Sequence, residues 1–522
     1  MTRSCHVLRA RSAPDRRVTS VSLLSKIPFR QSQTLGALRS PRILTREVLA
    51  GLVVAIALIP EAIAFSIIAG VDPRVGLFSS FVMAVAIAFL GGRPAMITAA
   101  TGAIALVIAP VAREYGTDYF IATVILGGLI QVVMAATGFA KIMRFIPRSV
   151  MVGFVNALAI LIFTAQLPYL FDVPWQVYPL VAVGLLIMIG MPRLTTVVPA
   201  PLVAVVVVTV LVAWMSITVP TVGDQGDLPE SLPELLWPDV PLNLETLGII
   251  GPYAIALAVV GLLESLLTAK LVDDITDTPS GKTREAYGQG IANVLSGFFG
   301  GMGGCAMIGQ TMINVKVSRA RTRLSTFFAG VFLLVLVLAL GDVVAAIPMA
   351  ALVAVMVMVA FATFDWHSVQ LGTLRRMPKS ETSVMVTTVV AVVVTHNLAI
   401  GVGLGVVVAM ALFARRVAHF ATVERRIVDA LDGTQSALYT VDGELFFASS
   451  NDLTTQFHYR DDPEYVVIDL SRSHIWDAST VASLDAITTK YERYGKSVEI
   501  IDMNDESSAL HGRLAGHLGA GH

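Results

Sequence analysis

The 522-residue sequence holds only two cysteines, Cys5 and Cys305, too far apart in sequence to suggest a disulfide or a metal-ligand pattern. Charge is equally scarce: 14% of residues are charged, against about 25% in an ordinary soluble domain. No phosphate-cradling P-loop, no cluster of metal ligands and no nucleophile with an adjacent base occurs in the chain. An enzyme and an ATP-driven pump are therefore excluded, and no catalytic residue, metal, cofactor or nucleic acid is expected. What fills the chain instead is apolar: 55% of residues are hydrophobic, which marks a polytopic membrane protein. The net charge of −1 says little, because the charges are segregated by position.

Residues 1–44 form a basic tail in which Arg3, Arg9, Arg11, Arg16, Arg17, Lys26, Arg30, Arg39 and Arg42 face a single acid, Asp15. A solvated cytoplasmic tail and an organellar transit peptide both fit this composition. Residues 45–415 form the membrane domain, 416–435 a linker and 436–515 a small separate domain. By span length, apolar segments lie near 48–69, 75–90, 101–112, 119–138, 149–169, 177–191, 199–215, 249–272, 286–299, 307–316, 324–341, 345–363, 381–395 and 400–414.

That makes fourteen spans, two of them too short to cross alone. Breaks after even-numbered spans carry Arg93; Lys141, Arg144 and Arg148; Arg193; Lys282 and Arg284; Lys316, Arg319, Arg321 and Arg323; and Arg375, Arg376 and Lys379. Breaks after odd-numbered spans carry little more than Arg74 and Arg113, and the loop 216–248 has six acids and no base. The positive-inside rule then puts both termini in the cytoplasm and the acidic loop outside. Seven spans precede that loop, so the repeats at about 45–215 and 249–415 run in opposite senses.

Transporters built from inverted repeats bind substrate at midplane, between broken helices in matching positions of the two halves. GGMGGCAMIGQTMINV, Gly300 to Val315, is such a break, and GGRPAMITAATGAIALVIAP, Gly91 to Pro110, matches it in the third span. Unwound backbone at membrane depth must face protein or a watery cavity. A helix start carries unpaired N–H groups and about half a positive charge, so half-helices beginning near Thr101 and Met307 would suit an anion.

Two carboxyls accompany these starts. Glu264, in AIALAVVGLLESLLTAKLV, shares a helical face with Gly261 and Thr268, with Ser265 beside it; a charge at such a depth costs about 2.5–3.5 kcal/mol on insertion scales. Glu61 follows Pro60 in the first span, with Phe65 one turn beyond. Glu61 precedes Thr101 by 40 residues and Glu264 precedes Met307 by 43, so the acids occupy matching places in the repeats. Carboxylates would repel an anion unless protonated or paired with a cation. A proton, with sodium as its rival, is therefore the expected coupling ion.

PEAIAFSIIAGVDPRVGLFSSF, Pro60 to Phe81, resembles the signature of the sulfate permease family of anion transporters, whose usual form has Gln at the position of Glu61. GLLESLLTA, the Gly300 stretch, Ile347–Phe361 and Thr395–Val406 extend the resemblance over nearly all of the chain beyond residue 44. The resemblance implies seven plus seven inverted spans, a core domain moving as an elevator against a gate domain, and a homodimer. It implies that the anion is held at Glu61, Phe65, Thr101, Gly102, Glu264, Thr268, Met307, Ile308 and Gly309, while the buried acids read above give the coupling ion to Glu264, with Ser265 and Thr268 beside it. Many relatives have Ser or Thr where Met307 to Gly309 stand, so contacts from the tenth span should come from backbone N–H groups alone.

Beyond Arg415, charge and alternation replace apolar runs, and a small α/β domain is expected. Its elements are two strands around a turn at Asp442 and Gly443, a helix at 451–457, strands at 465–470 and 498–503, and helices at 481–494 and 507–514. VVIDLSRSHIWDASTVASLD, Val466 to Asp485, resembles the STAS domain, whose free-standing members are phosphorylated within Asp-Ser-Ser-Gly. Here the loop reads Asp477, Ala478, Ser479, Thr480, which favours docking of a cytoplasmic protein over phosphorylation.

The expected protein is a bacterial inner-membrane secondary transporter of small inorganic anions, of the sulfate or bicarbonate class, coupled to protons. A C4-dicarboxylate carrier, a sodium-coupled bicarbonate transporter and an anion sensor signalling through the STAS domain are the alternatives.

Overall fold

Pro41 and Pro73 open the first two long helices, α1 (Pro41–Ala69) and α2 (Pro73–Leu90), where the N–H that proline lacks would go unbonded anyway. The computed structural model describes residues 30–138, 146–194, 199–241, 243–418, 421–429 and 435–517. Most of the basic tail, and Lys141 and Arg144, lie outside the described residues.

A helix lies at each expected span: α3 (Gly102–Tyr115), α4 (Thr117–Ala136), α5 (Arg148–Thr164), α6 (Val177–Leu194), α7 (Ala200–Met215), α8 (Leu244–Thr276), α9 (Lys282–Phe298), α10 (Ile308–Met312), α11 (Arg323–Ala339), α12 (Met349–Thr363), α13 (Lys379–Thr395) and α14 (Leu398–Ala418). α10 continues as a π-helical turn, Ile313–Val317. Short extended pieces, β1 (Thr98–Ala99) and β2 (Cys305–Ala306), precede α3 and α10.

The packing repeats with an offset of seven helices. α2 lies on α11 as α9 lies on α4, α1 on α11 as α8 on α4, and α5 on α13 as α12 on α6. Exchanging each helix for its counterpart maps every one of these pairs on to its companion, as two repeats related by a two-fold axis require. Two bodies result, one of α1–α4 with α8–α11, the other of α5–α7 with α12–α14. Apolar side chains such as Leu186, Val206, Val390 and Val407 stay exposed on the second body, where lipid is their natural solvent.

Arginines from three of the even-numbered breaks meet around the end of α2. Arg323 donates to the carbonyls of Ala88 and Gly91, and Arg284 to those of Phe89 and Leu90. Cations thus meet the negative end of α2. Arg93 bonds to Asp273, which also accepts from Lys282.

The C-terminal domain is a four-stranded sheet in the order β3 (Thr422–Asp429), β4 (Gln435–Leu445), β5 (Tyr465–Ile475), β6 (Ser497–Ile501), antiparallel in its first pair and parallel in the others. Its helices are α15 (Phe447–Leu453), α16 (Ala478–Arg493) and α17 (Asp505–Leu514). Two expectations are corrected. The stretch expected as a linker contributes β3, which supplies the antiparallel edge although its side chains are nearly all exposed. Ala437 to Phe447 is not two strands: β4 runs on through Gly443, with a register irregularity between Thr440 and Asp442. Inside, the buried Asp462 carboxylate takes bonds from Arg425, Tyr439 and Tyr491. Burial, with the Tyr439 phenol adding to it, pushes the Tyr459 phenol up to about 12. Removing the carboxylate strands Arg425 and two phenols, so Asp462→Ala should cost on the order of 3 kcal/mol, measured by denaturant unfolding followed through tyrosine fluorescence.

Candidate functional site

β1 and β2 pair antiparallel, Thr98 opposite Ala306 and Ala99 opposite Cys305, and all four residues are fully buried. Away from water, backbone groups left by the unwinding need other partners. Polar side chains of the flanking helices supply them. Gly304 N donates to Asn293, and its carbonyl accepts from Gln289 and Asn293. Ser79 bonds Gly303 O, Ser80 accepts from Ala100 N, and Asn314 bonds Ala95 O. The two segments approach so closely that a Cβ on Gly304 would sit 1.9 Å from Ala99 O, which requires glycine there.

Each strand runs straight into a helix start. Thr101 and Met307 are the N-cap residues of α3 and α10, both extended and neither capped by its own side chain. Met307 N donates to Ile97 O at 2.9 Å, and Ile97 N to Thr311 Oγ1 at 3.0 Å. The start of α10 is thereby fastened to the strand that leads into α3.

A cavity of about 510 Å³ opens at these two starts. Of the residues proposed from sequence, Glu61, Phe65, Thr101, Gly102, Glu264, Met307, Ile308 and Gly309 all line it. Thr268 and Ser265 do not. The Thr268 hydroxyl donates to Glu264 O, with a longer contact to Ala306 O, and Ser265 Oγ accepts from Ala306 N; both fasten β2 to α8. Neither Lys, Arg nor His is among the lining residues, so its titratable groups are the two glutamates.

Sequence reasoning missed three groups. Gln310, one helical position beyond Gly309, lies against Glu61, and its buried amide oxygen has no partner. Cys305 bonds Glu264 and Thr101. The opposite wall is built by Phe154, Leu158, Ile162 and Met188, with Met358 and Thr363, mostly apolar positions of α5, α6 and α12 that the sequence reading did not assign to the site. The cavity therefore lies between the two bodies.

Two inverted repeats whose broken helices meet over a cavity between two helical bodies define a membrane transporter of the inverted-repeat class. The sequence comparisons agree. The Sulfate permease family model matches residues 44–182 and 175–388, and the STAS domain model residues 427–511. The chain belongs to the sulfate permease family, a family of transporters and not of enzymes.

Among its relatives, YbaR of Bacillus subtilis, provisionally named a sulfate transporter, is 51% identical over 470 residues, 90% of this chain and 97% of that one. The bicarbonate transporter BicA of Picosynechococcus is 25% identical over 494 residues, 84% of this chain and 86% of BicA. The solved transmembrane domain of a cyanobacterium BicA superposes with a TM-score of 0.61 at 25% identity, covering 71% of this chain and 98% of that domain. Murine Slc26a9 in its inward-facing state shares the fold, with a TM-score of 0.76 at 16% identity over 97% of this chain and 96% of its own.

Gly309 has nothing within 4 Å of where its Cβ would be, so a side chain there fills cavity without displacing backbone. Gly309→Leu should weaken sulfate or bicarbonate binding about tenfold, or about 1.4 kcal/mol, with little change in melting temperature. Titration calorimetry and thermal unfolding on the purified protein check both parts.

Proposed function

We propose that the chain is a secondary transporter of small inorganic anions, of the sulfate or bicarbonate class, in which a proton enters with the anion at Glu264 and Glu61 is the second proton acceptor. The observation that carries this reading is one cavity holding two uncapped helix starts, two carboxyls and no basic side chain.

Magnitudes decide how such a site works. Like unit charges about 4 Å apart repel by about 4 kcal/mol at an effective dielectric of about 20. A helix terminus returns at most about 2 kcal/mol. Repulsion wins while the carboxyls are ionised, and the anion becomes stable only when they are neutral. A neutral carboxyl also carries one O–H, which can serve as a donor inside the site. Anion and proton therefore bind together, and an inward proton gradient drives the anion inward.

The anion would be held by backbone N–H groups at Gly102, Ile308 and Gly309, the Thr101 hydroxyl and the edge of Phe65, with Met307 closing the pocket. Thr268 and Ser265 would position Glu264 by fixing β2. Movement of the α1–α4 and α8–α11 body as an elevator past the wall of α5, α6 and α12 would carry the site across. On this reading the protein sits in the bacterial cell membrane as a homodimer with both termini cytoplasmic, and the STAS domain is a docking surface for a cytoplasmic protein.

A second reading has sodium neutralise the acids, since a small cation beside Glu61 and Glu264 would offset the same charge. Proteoliposomes separate the two: labelled sulfate and bicarbonate are offered under imposed pH or sodium gradients. Acid outside should accelerate uptake several-fold, and Glu264→Gln should abolish that acceleration while leaving the protein folded. Acceleration by sodium alone decides for the second reading; no uptake of either anion overturns both.

A further inference from the structure

The thiol of Cys305 stands between a cavity carboxyl and a cavity hydroxyl. Its Sγ lies 2.9 Å from Glu264 Oε2 and 3.1 Å from Thr101 Oγ1. All three residues are buried, and the outer two line the cavity. The chain of bonds joins helix α8 to the N-cap of α3 through β2, so it crosses from one repeat to the other.

We infer that Cys305 is a positioning residue that transmits the protonation state of Glu264 to the Thr101 hydroxyl, deepening the proton-coupled reading above and resting on it. An ionised carboxylate can only accept. Cys305 must then donate its S–H to Glu264, and its sulfur is left to accept the Thr101 O–H, which turns that hydrogen away from the cavity. When Glu264 takes up a proton, its new O–H donates to the sulfur and the S–H rotates to Thr101 Oγ1. The Thr101 hydrogen is released and turns into the cavity, where an oxyanion can accept it. No covalent bond other than the Glu264 O–H is made, and the one proton consumed comes from solvent.

Few other groups compete for this control. Titratable side chains facing Glu264 are Cys305 from β2 and Glu61 from α1 across the cavity. α10 presents the neutral Gln310, and α4 and α9 turn Gln131, Gln289 and Asn293 towards the same layer.

The test uses the full chain, with labelled sulfate as probe, or bicarbonate where the wild type takes no sulfate. If one proton is bound per anion, wild-type affinity weakens by about tenfold per pH unit on the alkaline side. Cys305→Ala should shrink the total fall in affinity between the acid and alkaline limits by about tenfold, the share the relayed hydrogen bond supplies, and Cys305→Ser, which both donates and accepts, should restore it. A purely structural thiol would change affinity equally at all pH values. Should Glu264→Gln remove the pH dependence while Cys305→Ala leaves the acid-to-alkaline span of affinity unchanged, the relay is overturned and the coupling stands; should Glu264→Gln keep the pH dependence, the coupling itself fails.

A second measurement leaves Cys305 itself in place. In a Cys5→Ala background the infrared S–H stretch reports Cys305 alone. It should shift on acidification over the pH range in which affinity changes, and stay fixed in Glu264→Gln. An S–H band unmoved by pH overturns the relay.

Discussion

The crossing of β1 and β2 is the constraint from which the rest of this structure follows. Two membrane segments give up helical hydrogen bonds at the centre of the protein, where no water replaces them and each orphaned group costs several kcal/mol. The antiparallel pair recovers some of those bonds, and Ser79, Ser80, Gln289, Asn293 and Asn314 recover others. That explains why α2, α9 and the π-helical turn after α10 carry polar residues on faces that are fully buried. It also explains the glycines, since a Cβ on Gly304 would collide with Ala99 O.

From the crossing comes the chemistry. Helices that start at a buried strand have their first N–H groups inside the protein, and with no side-chain cap those groups face the cavity. Beside them stand Glu61 and Glu264 with no basic partner in the lining. Such an arrangement holds negative charge only conditionally, which is the property a coupled carrier needs. The opposite wall belongs to the other body, and a site shared between two bodies can be exposed to either side by their relative movement. On the proposed reading, selection of the anion rests on cavity shape and a few donors, because no basic side chain is among the lining residues.

The C-terminal domain obeys a different logic. Its sheet forms in water, and its stability depends on one buried carboxylate that draws Arg425, Tyr439 and Tyr491 together. The loop resembling a phosphorylation site is used structurally here: Asp477 caps α16 by accepting from Thr480 N and also takes a bond from Phe447 N. Asp477 and Thr480, which flank the Ala478–Ser479 pair, are thus engaged in holding the fold.

The number and order of the membrane helices were legible in the chain, because hydropathy over a span and the placement of Arg and Lys are local properties that a bilayer enforces. So were Glu61, Glu264 and the two helix starts, since a charge or a glycine cluster in an apolar run stands out without any structure. The pairing of Thr98 with Ala306 was not, since two-residue strands have no periodicity. Nor could the sequence assign Cys305 to Glu264, or separate Ser265 and Thr268 from the cavity, because one helical face serves two neighbours at once and only packing decides which. The apolar wall from Phe154 to Thr363 was invisible for the same reason: in a chain this hydrophobic, what distinguishes a cavity residue is the body it faces, and that is settled by the fold of distant segments on each other.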